Sequence, residues 1–331
     1  MREVAALAEV SIKTVSRVVN GESTVDTDLA RRVHEAIGML DYRRDDAASA
    51  LRRADRVSSS IGLVFADVAN PFLSSVHRGI EEVARTRGVW TFAASAEERS
   101  ELERELALAL CARRIDGLII APAGLADHSY LGRERDAGIA LVFVDRPPAF
   151  LDADAVLTDN AEATARAVQG FGARGHRRIA FLCDRSDLYT AQARLEGYRA
   201  ALAQLDIPED PALVHSNLAN PVSTDQAVRE LVAMADPPTA FFTAQNLITT
   251  ATLHTLRALD VHRSIALIGF DDFELADLLE PPVTVVAQDA GALGRTAAEL
   301  LFARIDGDTS PSKRIIVPTR LIERGSGEIA V

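Results

Sequence analysis

The sequence predicts a small all-α headpiece followed by an α/β core built from two similar parallel-sheet lobes. Two changes of texture along the chain predict this. Residues 1 to about 42 give three short helical patterns joined by tight connections. After residue 58, apolar strand-like runs alternate with helical patterns to the end, and the rhythm restarts near residue 178. Such alternation produces βαβ units with helices on both faces of a parallel sheet.

In the headpiece, the first helix reads "REVAALAE", the second "SIKTVSRVVNG" and the third "TDLARRVHEAIGMLD", with Thr27 as its expected cap. Ser11 stands at the N-cap of the second, where its hydroxyl can accept from an orphan backbone amide. Val15, Val18 and Val19 fall on one side, so that Val4, Leu7 and Ala8 of the first helix can meet them across a short turn. Successive helical residues turn by about 100°, so Lys13 and Arg17 point away from the valines, with Ile12 at the border. This spacing fits a helix-turn-helix whose second helix enters a DNA major groove. It fits a purely structural helical hairpin equally well.

The core strands read "SIGLVFA", "VWTFAAS", "GLIIAP", "ALVFVD", "AVLTD", "RIAFLCD", "AFFTA", "IALIGFD" and "VTVVAQD". Several are apolar throughout, as strands buried on both faces must be. Ligands of such sheets bind at the carboxyl ends of strands. The polar residues there are Asp67 and Asn70, Asp145 and Arg146, Asp159 and Asn160, Asp184, Asp271 and Asp272, and Gln288 and Asp289.

The 331 residues carry a net charge of −12, unevenly spread. Residues 1–57 hold ten cations and ten anions, leaving 26 cations against 38 anions for the rest. Overall charge therefore argues against nucleic acid, and the case for it rests on local geometry. No run of 18 apolar residues is present to span a membrane. The stretch "MREVAALAEVS" lacks the basic and long apolar regions of a secretory signal, so a cytoplasmic location is expected. Cys111 and Cys183 are then expected as free, buried thiols.

Read together, "VAALAEVSIKTVSRVVNG", "SIGLVFADVANPF", "VFVDRP", "TDN", "GHRRIAFL", "ARLEGYRAAL" and "IALIGFDDFELADLLEPPVTVVAQD" occur in the order found in lactose-repressor (LacI/GalR-type) transcriptional regulators. The chain resembles that family over essentially its whole length. The resemblance implies a DNA-binding headpiece over 1–44, a hinge over 45–57 and a periplasmic-binding-protein-like core over 58–331. Lobe 1 is expected over about 58–158 and 290–310, and lobe 2 over about 159–289 and 311–331. It also implies a homodimer on a pseudo-palindromic double-stranded operator, a repressor's role, and a small effector, expected to be a sugar, between the lobes.

By the same resemblance, Ile12, Lys13 and Arg17 read bases, while Thr14, Ser16 and Asn20 hold phosphates and register. Leu51, in the hinge "DDAASALRRAD", is the minor-groove wedge, with Asp45 or Asp46 capping a helix too short to be stable alone. Phe72, Asp145, Arg194, Gln245, Asp271 and Gln288 match positions around the effector. Phe72 is expected to face the cleft, with Arg194 and Asp271 as a polar clamp or, alternatively, an ion pair bridging the lobes. Departures are visible. Glu9 stands at a usual turn glycine, Arg44 at a common proline, Asp45 at a common asparagine and Ser49 at a common hinge arginine. The first helix begins directly after Met1, without the usual Ser or Thr cap. A weaker or more salt-sensitive operator complex is expected.

Two other classes compete. An extracytoplasmic sugar-binding protein shares the core but would not carry residues 1–57. An α/β enzyme would need a motif such as a Gly-rich dinucleotide loop, a phosphate loop, HExxH or GxSxG, and the sequence has none of these. No catalytic residue, metal or cofactor is expected. A regulator without a small-molecule effector is the remaining alternative.

Overall fold

In the computed structural model, residues 1–19, 25–42, 58–124, 126–218 and 220–331 are described. The chain divides into two units, residues 1–58 and 59–331.

The headpiece contains α1 (Arg2–Leu7), α2 (Ile12–Val19) and α3 (Thr27–Met39). Val4, Ala5 and Ala8, Val15 and Val18, and Val33 and Ala36 make one small core, each helix contributing its apolar stripe. Leu7, expected in this core, is instead about half exposed. The Ser11 hydroxyl accepts from Thr14 N at 3.0 Å, as the sequence requires of a cap. The third helix corrects its expected cap. Asp26, not Thr27, accepts from Asp28 N and Leu29 N at 2.9 and 3.3 Å, and Thr27 is the first helical residue.

The second unit holds two six-stranded sheets, each with helices on both faces. The first contains β1 (Ser60–Phe65), β2 (Trp90–Ser95), β3 (Gly117–Ile120), β4 (Ala140–Val144), β5 (Asp154–Thr158) and β11 (Arg314–Val317), in the order β11-β5-β4-β3-β1-β2. The second contains β6 (Ile179–Leu182), β7 (Val214–His215), β8 (Ala240–Thr243), β9 (Ala266–Phe270), β10 (Thr284–Ala287) and β12 (Arg320–Ile322), in the order β12-β10-β9-β8-β6-β7. All neighbours are parallel except β10 and β12. Alternation divides each strand between two cores. In β1, Ile61, Leu63 and Phe65 face one side and Val64 the other. In β6, Ile179 and Phe181 oppose Ala180 and Leu182.

The helices of the core are α4 (Pro71–Thr86), α5 (Ser100–Ala112), α6 (Gly132–Asp136), α7 (Asn160–Ala173), α8 (Tyr189–Gln204), α9 (Pro221–Val232), α10 (Asn246–Ala258) and α11 (Ala290–Ile305). Within each lobe one helix pair crosses at glycine. A Cβ on Gly294 of α11 would lie 2.1 Å from the Val76 carbonyl oxygen of α4. One on Gly197 of α8 would lie 2.1 Å from that of Ala161 in α7. Only glycine permits such close approach of backbones.

The third crossing between lobes lies later than the sequence suggested. Residues from 311 were expected in lobe 2, but Arg314–Val317 pairs with Asp154–Thr158 in the first sheet. The Asp154 carboxylate anchors this segment, accepting from Lys313 N at 2.7 Å and from Arg304 Nε at 2.7 Å. Pro318 then interrupts the apolar run, and Arg320–Ile322 joins the second sheet. Among the described residues no helix is long and apolar enough to cross a membrane.

Candidate nucleic-acid interface and ligand cleft

In the headpiece, α2 buries Val15 and Val18 and leaves Ile12 and Lys13 exposed, with Arg17 and Ser16 half-buried. Ile12 is 48% exposed, a large apolar side chain kept out of the core. Thr14 shares a hydroxyl–hydroxyl hydrogen bond of 2.9 Å with Ser11, so it also supports the cap. Asn20 and Leu51, like Arg44, Asp45, Asp46 and Ser49, lie outside the described residues. Glu9 takes φ +50°, which explains why a glycine suits that turn. Its carboxylate is paired with Arg32 Nη2 at 3.1 Å. Arg32 thus offsets the negative charge expected to weaken a DNA contact.

In the core, strand ends from both lobes meet at a cleft of about 880 Å³. Asp67, Asn70, Glu97 and Glu98 line it from the first lobe; Asp184, Arg185, Asn220, Gln245 and Leu247 line it from the second. The volume suits a small organic ligand. Asn246 Nδ2 donates to Asn70 Oδ1 across the lobes at 3.2 Å, while that same oxygen caps α4 by accepting from Phe72 N at 3.0 Å. Gln245 Oε1 caps α10, accepting from Leu247 N and Ile248 N at 2.8 and 3.2 Å.

Behind this opening lies a buried polar group. Arg194 of α8 donates from Nε to Asn160 Oδ1 at 2.7 Å and from Nη1 to the Ala244 carbonyl at 2.6 Å. Its guanidinium carbon stands 3.6 Å from the centre of the Phe270 ring, a cation–π contact. Asp271, which follows β9, accepts from Gln288 Nε2 at 2.6 Å. Asp145, which follows β4, sits 3.6 Å from Arg146 Nε as an ion pair. Arg146 in turn forks onto Glu98 at 2.9 and 3.0 Å and onto the Pro122 carbonyl at 2.6 Å.

Burial pushes the carboxyls of Asp145 and Asp271 up, opposed for Asp145 by Arg146 and Arg194 and for Asp271 by Arg194 and Gln288. Asp184 is raised to about 6, again chiefly by burial against the pull of Arg146 and Arg194. Arg194 is thus the cation shared by three carboxylates.

The structure brings Asp145, Arg194, Asp271 and Gln288 together. Of the expected effector residues only Gln245 lines the opening itself; Phe72, expected to face the cleft, is half-buried against the first lobe's core and lies apart from that polar group. The alternative to the clamp, an ion pair bridging the lobes, does not form. Arg194 and Asp271 both belong to lobe 2, and no Arg194–Asp271 ion pair forms within 4 Å among the described residues. Glu98 and Arg185 were missed as cleft residues. No motif marked them, although Asn160 and Asp184 stood among the polar strand ends and Asn246 stood in the Gln245-Asn246 pair, where the family often has Asn-Asp or Asn-Asn.

A helix-turn-helix unit followed in the chain by a two-lobed α/β cleft with a polar floor defines a ligand-responsive DNA-binding regulator. The lacI family of bacterial regulatory proteins matches residues 1–45, and the periplasmic binding protein-like domain matches residues 168–327. The chain is 32% identical to the HTH-type transcriptional regulator PtxS of Pseudomonas aeruginosa over 330 residues, 98% of this chain and 95% of the relative. It is 32% identical to the ribose operon repressor of Escherichia coli K12 over 333 residues, 98% of this chain and 99% of the repressor. A solved complex of the transcriptional regulator CelR with cellobiose superposes with a TM-score of 0.72 at 32% identity, covering 98% of each chain. The chain belongs to the lacI family and is a transcriptional regulator.

Proposed function

We propose that this regulator is a cytoplasmic repressor that binds a pseudo-palindromic operator as a homodimer and is controlled by a sugar bound between its lobes. Its role is regulatory rather than catalytic. The observation that carries the DNA half is the division of α2. Two valines hold it to the core, while Ile12 and Lys13 stand outward with Arg17 on the same side of the turn. Lys13 and Arg17 then donate to guanine edges, and Ile12 meets a thymine methyl. Thr14, Ser16 and Asn20 set register on phosphates, and Leu51 wedges the minor groove.

The sugar reading is supported by the relatives' names, a ribose operon repressor and a cellobiose complex, and by acceptor-rich side chains at the strand ends. Asp145, Arg194, Asp271 and Gln288 are its proposed contacts, with Gln245 at the mouth. Edge strand β2 exposes Trp90 and Phe92, 76% and 53%, an apolar surface that a second copy would cover. The test is a binding selection on randomised operators with the parent and Arg17→Ala. The variant should lose preference at one base pair of each half-site, by about 1–3 kcal/mol. Unchanged preference at every position would remove Arg17 from base reading.

A further inference from the structure

Resting on the reading of the cleft as an effector site, we infer that the effector is an uncharged polyhydroxylated molecule and that the cleft rejects phosphorylated and carboxylate-bearing sugars. The argument is an account of which hydrogen-bonding groups the protein has already used.

The charged donors are largely spent, while the neutral amide groups Asn70 Nδ2, Asn220 Nδ2 and Gln245 Nε2 at the cleft donate to no protein acceptor among the described residues. Arg146 uses both Nη atoms on Glu98 and the Pro122 carbonyl. Arg185 uses Nε and Nη2 on Asp187, at 3.0 and 2.5 Å, and Nη1 on the carbonyls of Glu98 and Ala123. Gln288 Nε2 is given to Asp271. Arg194 has given Nε and Nη1 to Asn160 and Ala244, which leaves Nη2 without a protein acceptor among the described residues.

The acceptors are not spent. Among the described residues, no hydrogen bond from another residue reaches the carboxylate of Asp145 or Asp184, and Asp145 has only its 3.6 Å ion pair with Arg146. Asp271 has one oxygen engaged by Gln288, and Gln288 Oε1 is buried with no hydrogen-bond partner among the described residues. Asp145 and Asp271 are both more than nine-tenths buried, where an ionised group without partners is costly. The site therefore lacks donors from a ligand.

A hydroxyl supplies one donor and two acceptor lone pairs. It can accept from Arg194 Nη2 while donating to a carboxylate beside it. A phosphate or ionised carboxylate offers only acceptors. It would add negative charge within reach of Asp145, Asp184 and Asp271, against one partly engaged guanidinium. The like-charge repulsion acts in a setting where water screens poorly. Arg146 cannot compensate, because Glu98 already neutralises it through two hydrogen bonds.

The test uses the full chain in thermal-shift and operator-binding assays with matched probes. These are ribose with ribose 5-phosphate, glucose with glucose 6-phosphate and gluconate, and cellobiose with cellobionate. The uncharged member of whichever set binds is expected to bind at least about 10-fold more tightly. Low-millimolar inorganic phosphate is expected to raise the melting temperature no more than sodium chloride of equal ionic strength. An anionic member that binds as well as or better than its uncharged partner would overturn the inference while leaving the sugar reading intact. So would stabilisation by phosphate alone. A panel in which no sugar of either kind binds would overturn the sugar reading, and the inference with it.

Discussion

Asp145 and Asp271 occupy the same station in the two lobes but live in different electrostatic surroundings. Each follows the third strand in from the edge formed by β11 or β12, each has a positive φ (+67° and +70°), and each donates its backbone N–H at 2.9 Å to the neighbouring strand, at Val156 or Val286. Asp is among the few residues that accept this backbone region readily. The next residue then differs in sign. In lobe 1, Arg146 turns to Glu98 and stays within 3.6 Å of Asp145. In lobe 2, Asp272 is held outward by Arg324 through two bonds of 2.7 Å, leaving Asp271 with Gln288 and the field of Arg194. The repeated fold supplies the position, and the side chains beside it decide how much each aspartate depends on a ligand.

The sharpest way to break this comparison is to remove the aspartate that has no cation within ion-pair distance among the described residues. Asp271→Ala should weaken the effector response by about 10- to 100-fold, the loss of a charged hydrogen bond being about 1.5–3 kcal/mol. Operator affinity of the ligand-free protein should be retained. Only a difference in affinity between arrangements lets a ligand shift the lobes, so removing the contact removes the shift. Alanine at positive φ also strains the turn by about 1–2 kcal/mol. Asp271→Asn, which tolerates that backbone and keeps an acceptor but loses the charge, should show a loss at the lower end of that range with a smaller drop in melting temperature. Titration of operator release against effector concentration decides it. An unchanged midpoint in both variants would make Asp271 structural.

A smaller effect is expected for Asp145→Asn. Arg146 keeps Glu98 in this variant, so no cation is orphaned, and the amide can still accept from a ligand hydroxyl. Effector affinity should fall by about 3- to 10-fold, in line with roughly 0.5–1.5 kcal/mol for a neutral hydrogen bond. Calorimetric titration of the parent, Asp145→Asn and Asp271→Asn side by side gives the ranking directly. Equal losses at the two sites would mean that the lobes share the ligand evenly, and that the inverted neighbours are without consequence.

What could be read from the sequence follows from how local each feature is. The valine stripe of α2 and the Ser11 cap depend on residues within one or two turns, and both appear as written. The doubly buried strands were visible as unbroken apolar runs, as in "ALVFVD". Val214–His215 was too short to stand out, and the C-terminal run hid two strands of different sheets on either side of Pro318. Strand-end position was enough to single out Asp145, Asp184 and Asp271. It could not show that Glu98 takes up Arg146, or that Asn160 takes up Arg194, because 48 and 34 residues separate these partners. Phe72 illustrates the converse. Its place after "ANP" was readable, but the choice between core and cleft is made by α4 as a whole.

An effect on stability rather than on effector affinity is expected at Asp184, which lines the open cleft between the two aspartates' lobes. Burial raises its carboxyl from 3.8 to about 6, with Arg146 and Arg194 opposing the rise. Glu98 adds to it. Between about pH 4 and 6 the folded chain therefore holds a proton that the unfolded chain has released. The stability contributed by this group is greatest below pH 4, falls as pH rises through that window, and is flat above it. Asp184→Asn has no such proton to lose. It should match the parent near pH 4 and exceed it at pH 7 by about 1–2 kcal/mol, after allowing for solvent at its exposed side. Urea unfolding of both proteins at the two pH values isolates the effect, since every other titrating group cancels in the difference. A gap that stayed constant with pH would show that Asp184 is already ionised and solvated at acid pH. The cleft would then carry its negative charge at the mouth at no cost to folding.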